Sequence, residues 1–74
     1  MEEKFSKLQN IFREVLDSPA LALVPEFSVA DCEGWDSVAT VRLVLEVERE
    51  FGVRFTTDEV ARIRKAEDFI RKIR

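Results

Sequence analysis

Apolar residues recur along this chain at helical spacing. Phe5, Leu8, Phe12, Val15 and Leu16 stand three or four places apart with charge between them, which predicts a first helix over about 2–16. Asp17-Ser18-Pro19 should end it, because proline disfavours helix at the residue before it. Residues 18–35 then form a long connection whose Leu21, Leu23, Val24 and Phe27 should pin it over the bundle. Ordered loops of this length are unusual in compact domains and are often functional. Pro25 interrupts the connection, and Gly34 permits a turn before the next helix. That second helix should run from Ser37 to Phe51, with Gly52 as its C-terminal breaker. Val53-Arg54-Phe55 resembles a strand, but with no second candidate to pair with it reads as a connection. Thr56 and Glu59 have the spacing of a capping box, which opens a short helix over about 57–63 with Val60 and Ile63 on it. A last helix over about 66–73 turns Phe69, Ile70 and Ile73 inward, and its closing Lys and Arg residues suit the negative end of the dipole. The expected fold is all-α: a small four-helix bundle of three main helices and one short helix, with a long loop between the first two, in a single domain over 1–74.

The second helix carries more apolar residues than one buried stripe needs. At about 100° per residue, Leu43, Val44, Val47 and Phe51 fall together with Thr40 among them, a stripe wide enough to face a core. Val38, Val41 and Leu45 make a second stripe on another side, bordered by Ser37, Arg42, Glu48 and Arg49. Either the long loop covers that side, or it is kept apolar for a partner. Periodicity alone leaves both open.

At the head of this helix stands Asp36-Ser37. Asp is a favoured N-cap and Ser is common in a first turn, so a plain cap accounts for the pair. A phosphate ester on Ser37 is the functional alternative. It would meet unpaired backbone N–H groups and the positive end of the helix dipole. With no local base, Ser37 would not act as a nucleophile by itself.

Composition narrows the chemistry. The 74 residues are 46% apolar and 36% charged, with two Gly and two Pro, which describes a folded domain and not a disordered one. There is no His and no Tyr, so the commonest general acid-base residue and the commonest non-carboxylate metal ligand are missing. The single Cys32, set between Asp31 and Glu33, can form no internal disulfide and cannot build a zinc site; beside two acids it reads as an inert thiol. No Gly-rich phosphate loop occurs. The chain is therefore not expected to be an enzyme, and no metal is expected. No apolar run is long enough to span a bilayer, and Met-Glu-Glu-Lys-Phe-Ser-Lys lacks the layout of a signal peptide, so a cytoplasmic location with no membrane partner is expected.

Charge is uneven. Acids outnumber bases by thirteen to six over residues 1–59, while bases outnumber acids by six to two over residues 60–74. No base falls between Arg13 and Arg42, where Glu14, Asp17, Glu26, Asp31, Glu33 and Asp36 lie. Such acids are either solvated loop charge or a patch that steers basic partner surfaces toward Ser37. Nucleic acid does not suit this surface. The basic tail from Arg62 to Arg74 reads as dipole balance and solubility, and Trp35 as a loop anchor or, less simply, a surface for an arm to pack on.

Asp36-Ser37-Val38, followed by a helix that closes on Glu48-Arg49-Glu50-Phe51-Gly52, resembles the acyl carrier proteins. The likeness runs on through Val53-Arg54-Phe55-Thr56-Thr57-Asp58-Glu59-Val60 and Glu67-Asp68-Phe69-Ile70, and so covers essentially the whole chain. Glu33-Gly34-Trp35-Asp36-Ser37 is similar to the small stand-alone carriers found beside ligases and synthases of specialised pathways. The resemblance implies that a separate phosphopantetheinyl transferase converts Ser37 to a 4′-phosphopantetheine ester, whose thiol holds acyl or aminoacyl groups as thioesters. It implies that Asp36 helps present the serine, and that Val38, Val41, Arg42, Leu45, Glu48 and Arg49 dock partners: an acyl-activating ligase, a synthase or an acyltransferase. It further implies a monomer. Two departures stand out. Val38 occupies a position where the family usually has Leu. Arg42 and Arg49 bring positive charge, and Ala39 replaces an acid, on a face that is strongly acidic in fatty-acid carriers. Both favour a dedicated pathway over housekeeping fatty-acid synthesis. The competing expectation is a cofactor-free helical interaction module.

Overall fold

The computed structural model describes residues 2–74. Four helices follow one another: α1 (Glu2–Val15), α2 (Ser37–Phe51), α3 (Thr57–Arg62) and α4 (Glu67–Ile73), with a single 3-10 turn at Val29–Asp31 in the long connection. Among the described residues there is no β-strand, which bears out the all-α fold and the reading of Val53–Phe55 as a connection. The one extended pairing is an isolated antiparallel bridge between Ser28 and Lys65. At seven residues, α4 is closer in length to the six-residue α3 than to the fourteen-residue α1.

Each boundary has a local cause. α1 ends in a left-handed residue, Asp17, at φ 53°. The Ser18 N–H donates to the Arg13 carbonyl at 2.9 Å and the Asp17 N–H to the Glu14 carbonyl at 3.3 Å, the paired bonds of a Schellman cap. The helix thus stops by turning left at Asp17, two residues before Pro19 could forbid it. α2 stops at Gly52, whose φ of 67° and N–H bond to the Glu48 carbonyl make the left-handed cap that the sequence pattern expects. α3 opens on the reciprocal capping box. Thr56 Oγ1 accepts from the Glu59 N–H at 3.1 Å, and Glu59 Oε1 accepts from the Thr56 N–H at 2.8 Å. α4 has no side-chain cap at its N-cap residue, Ala66. The loop supplies its acceptors instead: the Ala66 N–H donates to the Phe27 carbonyl at 2.8 Å and the Glu67 N–H to the Pro25 carbonyl at 3.0 Å. Asp68 Oδ2 takes the N–H groups of Arg64 and Lys65 just ahead.

The core lies between α1, α2 and the two closing helices. α1 contributes Leu8, Ile11 and Phe12; α2 contributes Ala39, Leu43, Val44 and Val47; Ile63, Ala66, Phe69, Ile70 and Ile73 close it. Phe5, Val15 and Phe51 are only half-buried at its edge. Ile11 was not among the α1 residues predicted inward, although it lies three places after Leu8 on the same stripe. Phe12 is the hub of an aromatic cluster. It meets Trp35 edge-on at 5.3 Å, Phe69 at 5.5 Å and Phe27 at 6.3 Å between ring centroids.

The long connection is an ordered strap across this bundle. Leu23 is buried, and Leu21, Phe27, Val29 and Cys32 pack against the core, whereas Val24 is exposed. Arg13 Nε donates to the Leu21 carbonyl at 2.7 Å, and Gln9 Oε1 accepts from the Leu23 N–H at 2.9 Å. The Val29 N–H donates to the Arg64 carbonyl at 2.9 Å. These bonds satisfy part of the strap's backbone donors and acceptors.

Candidate functional site

Trp35 fixes the approach to α2. It is buried, stacks on Phe27 at 5.6 Å and donates its indole Nε1–H to Thr40 Oγ1 at 2.9 Å. A buried indole needs such an acceptor, and Thr40 supplies it from the second turn of the helix it introduces. The Trp35 N–H also closes a turn onto the Cys32 carbonyl at 3.1 Å. Gly34 lies within this turn without a positive φ, and a Cβ there would meet the Leu16 carbonyl and Cys32 Sγ at ordinary contact distances. The turn expected at Gly34 is present, but it is made without a positive φ.

Asp36 is the N-cap of α2, with extended backbone at φ −107° and ψ −169°. Its carboxylate Oδ1 accepts from the Ala39 N–H at 2.9 Å, and its carbonyl accepts from the Thr40 N–H at 3.0 Å. A cap of this kind is worth about 1 kcal/mol to the helix. Ser37 is the first helical residue and is exposed. By helix geometry its N–H and that of Val38 have no acceptor within the helix, and the dipole places partial positive charge at this end. A phosphate ester on Ser37 fits that environment: its oxygens have donors beside them, and the side chain meets solvent. Two acids of this stretch are engaged elsewhere. Asp36 turns its carboxylate to Ala39, and Asp31 Oδ2 accepts from the N–H and Oγ of Ser28.

Downstream, α2 divides cleanly. Leu43 and Val47 have no exposure, while Val38 is 67%, Val41 49% and Leu45 57% exposed. The strap leaves this second stripe open to solvent, so the alternative of burial on both sides does not hold. Arg42 and Arg49 are exposed beside the stripe. Glu48 lies on its other border, half-buried, with its carboxylate accepting from the Phe55 N–H at 2.8 Å. Ala39 belongs to the core and not to the outer face, so its replacement of an acid removes nothing from the surface that Val38, Val41 and Leu45 share. Ser37, Asp36 and the stripe thus form one continuous exposed edge. Among the described residues no three metal-ligating side chains cluster.

The flanks are tied by side-chain hydrogen bonds and ion pairs between the helices. Lys4 Nζ donates to the Ile73 carbonyl at 3.2 Å, and Lys7 meets Glu50 at 3.3 Å. Lys72 Nζ donates to both carboxylate oxygens of Glu59 at 2.8 Å and lies 5.3 Å from the centre of the Phe55 ring. The Lys72 bond first, and then the Thr56 N–H, hold the Glu59 carboxyl below the usual carboxylate range.

The family model described as "Phosphopantetheine attachment site" matches residues 6–73. The acyl carrier protein of Acidothermus cellulolyticus is 35% identical over 93% of this chain and 82% of its own length. That of Nitratidesulfovibrio vulgaris is 34% identical over 100% of this chain and 93% of its own. The solution structure of a holo acyl carrier protein from Geobacter metallireducens superposes with a TM-score of 0.83, at 26% identity, over 95% of this chain and 80% of that one. Among the described residues no helix is long and apolar enough to cross a membrane. A helical bundle with an exposed serine at the head of α2, a family match over nearly the whole chain and relatives of this similarity together mean that the chain belongs to the acyl carrier protein family, whose members hold acyl groups on covalently attached 4′-phosphopantetheine and do no catalysis themselves.

Proposed function

We propose that Ser37 is the attachment residue and that this carrier serves a dedicated biosynthetic pathway. The observation that supports the site best is the exposure of Ser37 as the first residue of α2, directly after the Asp36 cap. In the modification, Ser37 Oγ bonds to the phosphorus of coenzyme A that bears the pantetheine. The pyrophosphate bond breaks, adenosine 3′,5′-bisphosphate leaves, and the hydroxyl proton passes to a base of the transferase, since this chain holds none. Once attached, the arm supplies a terminal thiol that carries an acyl or aminoacyl group as a thioester. Asp36 keeps the helix start in register, and the Ser37 and Val38 N–H groups with the dipole favour the phosphodiester charge.

The carrier meets modifying and synthetic enzymes. Their finer identities, a phosphopantetheinyl transferase followed by an acyl-activating ligase, a synthase or an acyltransferase, belong to this proposal. Val38, Val41 and Leu45 form the apolar centre of their docking surface, with Arg42, Glu48 and Arg49 at its border. The arginines support partners distinct from those of strongly acidic carriers. We place the protein in the cytoplasm as a monomer.

Incubation of the full chain with a broad-specificity phosphopantetheinyl transferase and coenzyme A tests the site. Mass spectrometry should show one added phosphopantetheine on the wild type and none on Ser37→Ala, with both variants equally folded by circular dichroism. A Ser37→Ala chain that still gains the arm would overturn the assignment.

A further inference from the structure

The charge that borders the exposed stripe differs from the charge summed along α2. By sequence, α2 holds three glutamates, Glu46, Glu48 and Glu50, against Arg42 and Arg49. In the structure each glutamate is engaged within the molecule. Glu48 accepts the Phe55 N–H at 2.8 Å, Glu50 pairs with Lys7 of α1 at 3.3 Å, and Glu46 lies 3.8 Å from Arg49. On the helix wheel Glu46 and Glu50 fall toward the edge of the core face, while Arg42 and Arg49 fall together beside Leu45. The Arg49 side chain is 80% exposed in spite of its pair with Glu46, and an exposed pair of this length contributes at most about 1 kcal/mol, so a partner can take Arg49 over. Among the described residues no carboxylate lies within ion-pair distance of Arg42. A cleft of about 400 Å3 adjoins the stripe, lined by Leu45, Glu48, Arg49, Gly52, Val53 and Arg54. It sets two guanidinium-bearing residues at the end of the stripe distant from Ser37.

We propose that the exposed face of α2 fits an enzyme surface that sets an apolar ridge against Val38, Val41 and Leu45 and carboxylates against Arg42, Arg49 and the cleft beside Arg54. The inference rests on the proposed docking role of this face and specifies the partner chemistry. An acidic partner patch gains from these cations and recovers them at the rim, where complementary charge chiefly raises the association rate and rejects wrong partners. A basic patch would meet the two arginines beside the stripe, while Glu46 and Glu48 are half-buried and Glu50 lies toward Lys7 of α1.

A charge swap tests this with transferases as the probe, on the full-length chain. One is a broad-specificity phosphopantetheinyl transferase chosen for a basic surface beside its active site; the other is the same enzyme with those bases changed to Glu. Rates of mass gain are compared for the wild type and for Arg42→Glu/Arg49→Glu, with Arg42→Gln/Arg49→Gln as the milder variant, and circular dichroism confirms the fold. At low salt the double reversal should raise kcat/KM about tenfold with the basic enzyme and lower it about tenfold with the acidic one. The neutral variant should fall between, and both effects should shrink in high salt. If the arm is added but the rates ignore the reversal, or shift in the same direction with both enzymes, the docking inference is wrong and the attachment reading survives. A wild type that gains no mass with either enzyme overturns the attachment reading and the docking inference with it.

Discussion

Leu43 and Leu45 stand two places apart on α2, yet Leu43 has no exposure and Leu45 is 57% exposed. The same contrast separates Val47, fully covered, from Val38 and Val41. One face of the helix is scaffold, packed against α1 and α3, and the other is an apolar edge leading from Ser37 that the molecule leaves uncovered. Burying a leucine contributes about 1.5–3 kcal/mol, whereas an exposed one contributes little to folding. Apolar residues kept where they do not stabilise the fold have another use, which we propose here is to meet other proteins.

The sharpest way to break this comparison is to truncate both leucines. Leu43→Ala should cost about 2–5 kcal/mol in denaturant unfolding, the range for a fully buried leucine. Leu45→Ala should stay within about 0.5 kcal/mol while slowing modification by the transferase. Equal losses of stability would mean that the two faces are not different in kind. A smaller effect sharpens the contrast at the two ends of α2. Gly52→Ala should cost about 1 kcal/mol, because φ 67° disfavours any Cβ, while Gly34→Ala should be nearly neutral. The smallest effect concerns the scaffold side, where Lys72 and the Thr56 N–H depress the Glu59 carboxyl. A carboxyl whose folded pKa lies below its unfolded value contributes stability above the ordinary carboxylate range, and loses it as the pH falls through the folded value. The wild type should therefore be more stable than Glu59→Gln at neutral pH. The difference should fade in acid, as read from thermal midpoints across that range.

Much of the scaffold could be read in the chain because its determinants are local. α2 begins at Ser37 and ends at Phe51 as predicted, since Asp36 and Gly52 are cap residues at either end of one apolar period. The Thr56–Glu59 box likewise announced α3. The α4 start was less legible, because its N–H acceptors are the carbonyls of Pro25 and Phe27, some forty residues earlier in the chain. Asp17 escaped notice as a left-handed cap, since Asp adopts that conformation only in context and Pro19 offered a simpler stop. At the candidate site, Asp36 and Ser37 stood out by position. The inward turn of Ala39 did not, because a small residue carries little weight in an apolar period.

The sequence by itself determined the helices, the caps of α2 and α3 and a serine at the head of an over-supplied apolar helix, because propensity, capping and periodicity act over a few residues. Only the tertiary structure decided which of the two stripes stays open, since that depends on where the strap from Leu16 to Asp36 packs. It also decided which charges remain free, because Glu48 and Glu50 find their partners at Phe55 and Lys7, and a sum of charges along the chain cannot register such pairings.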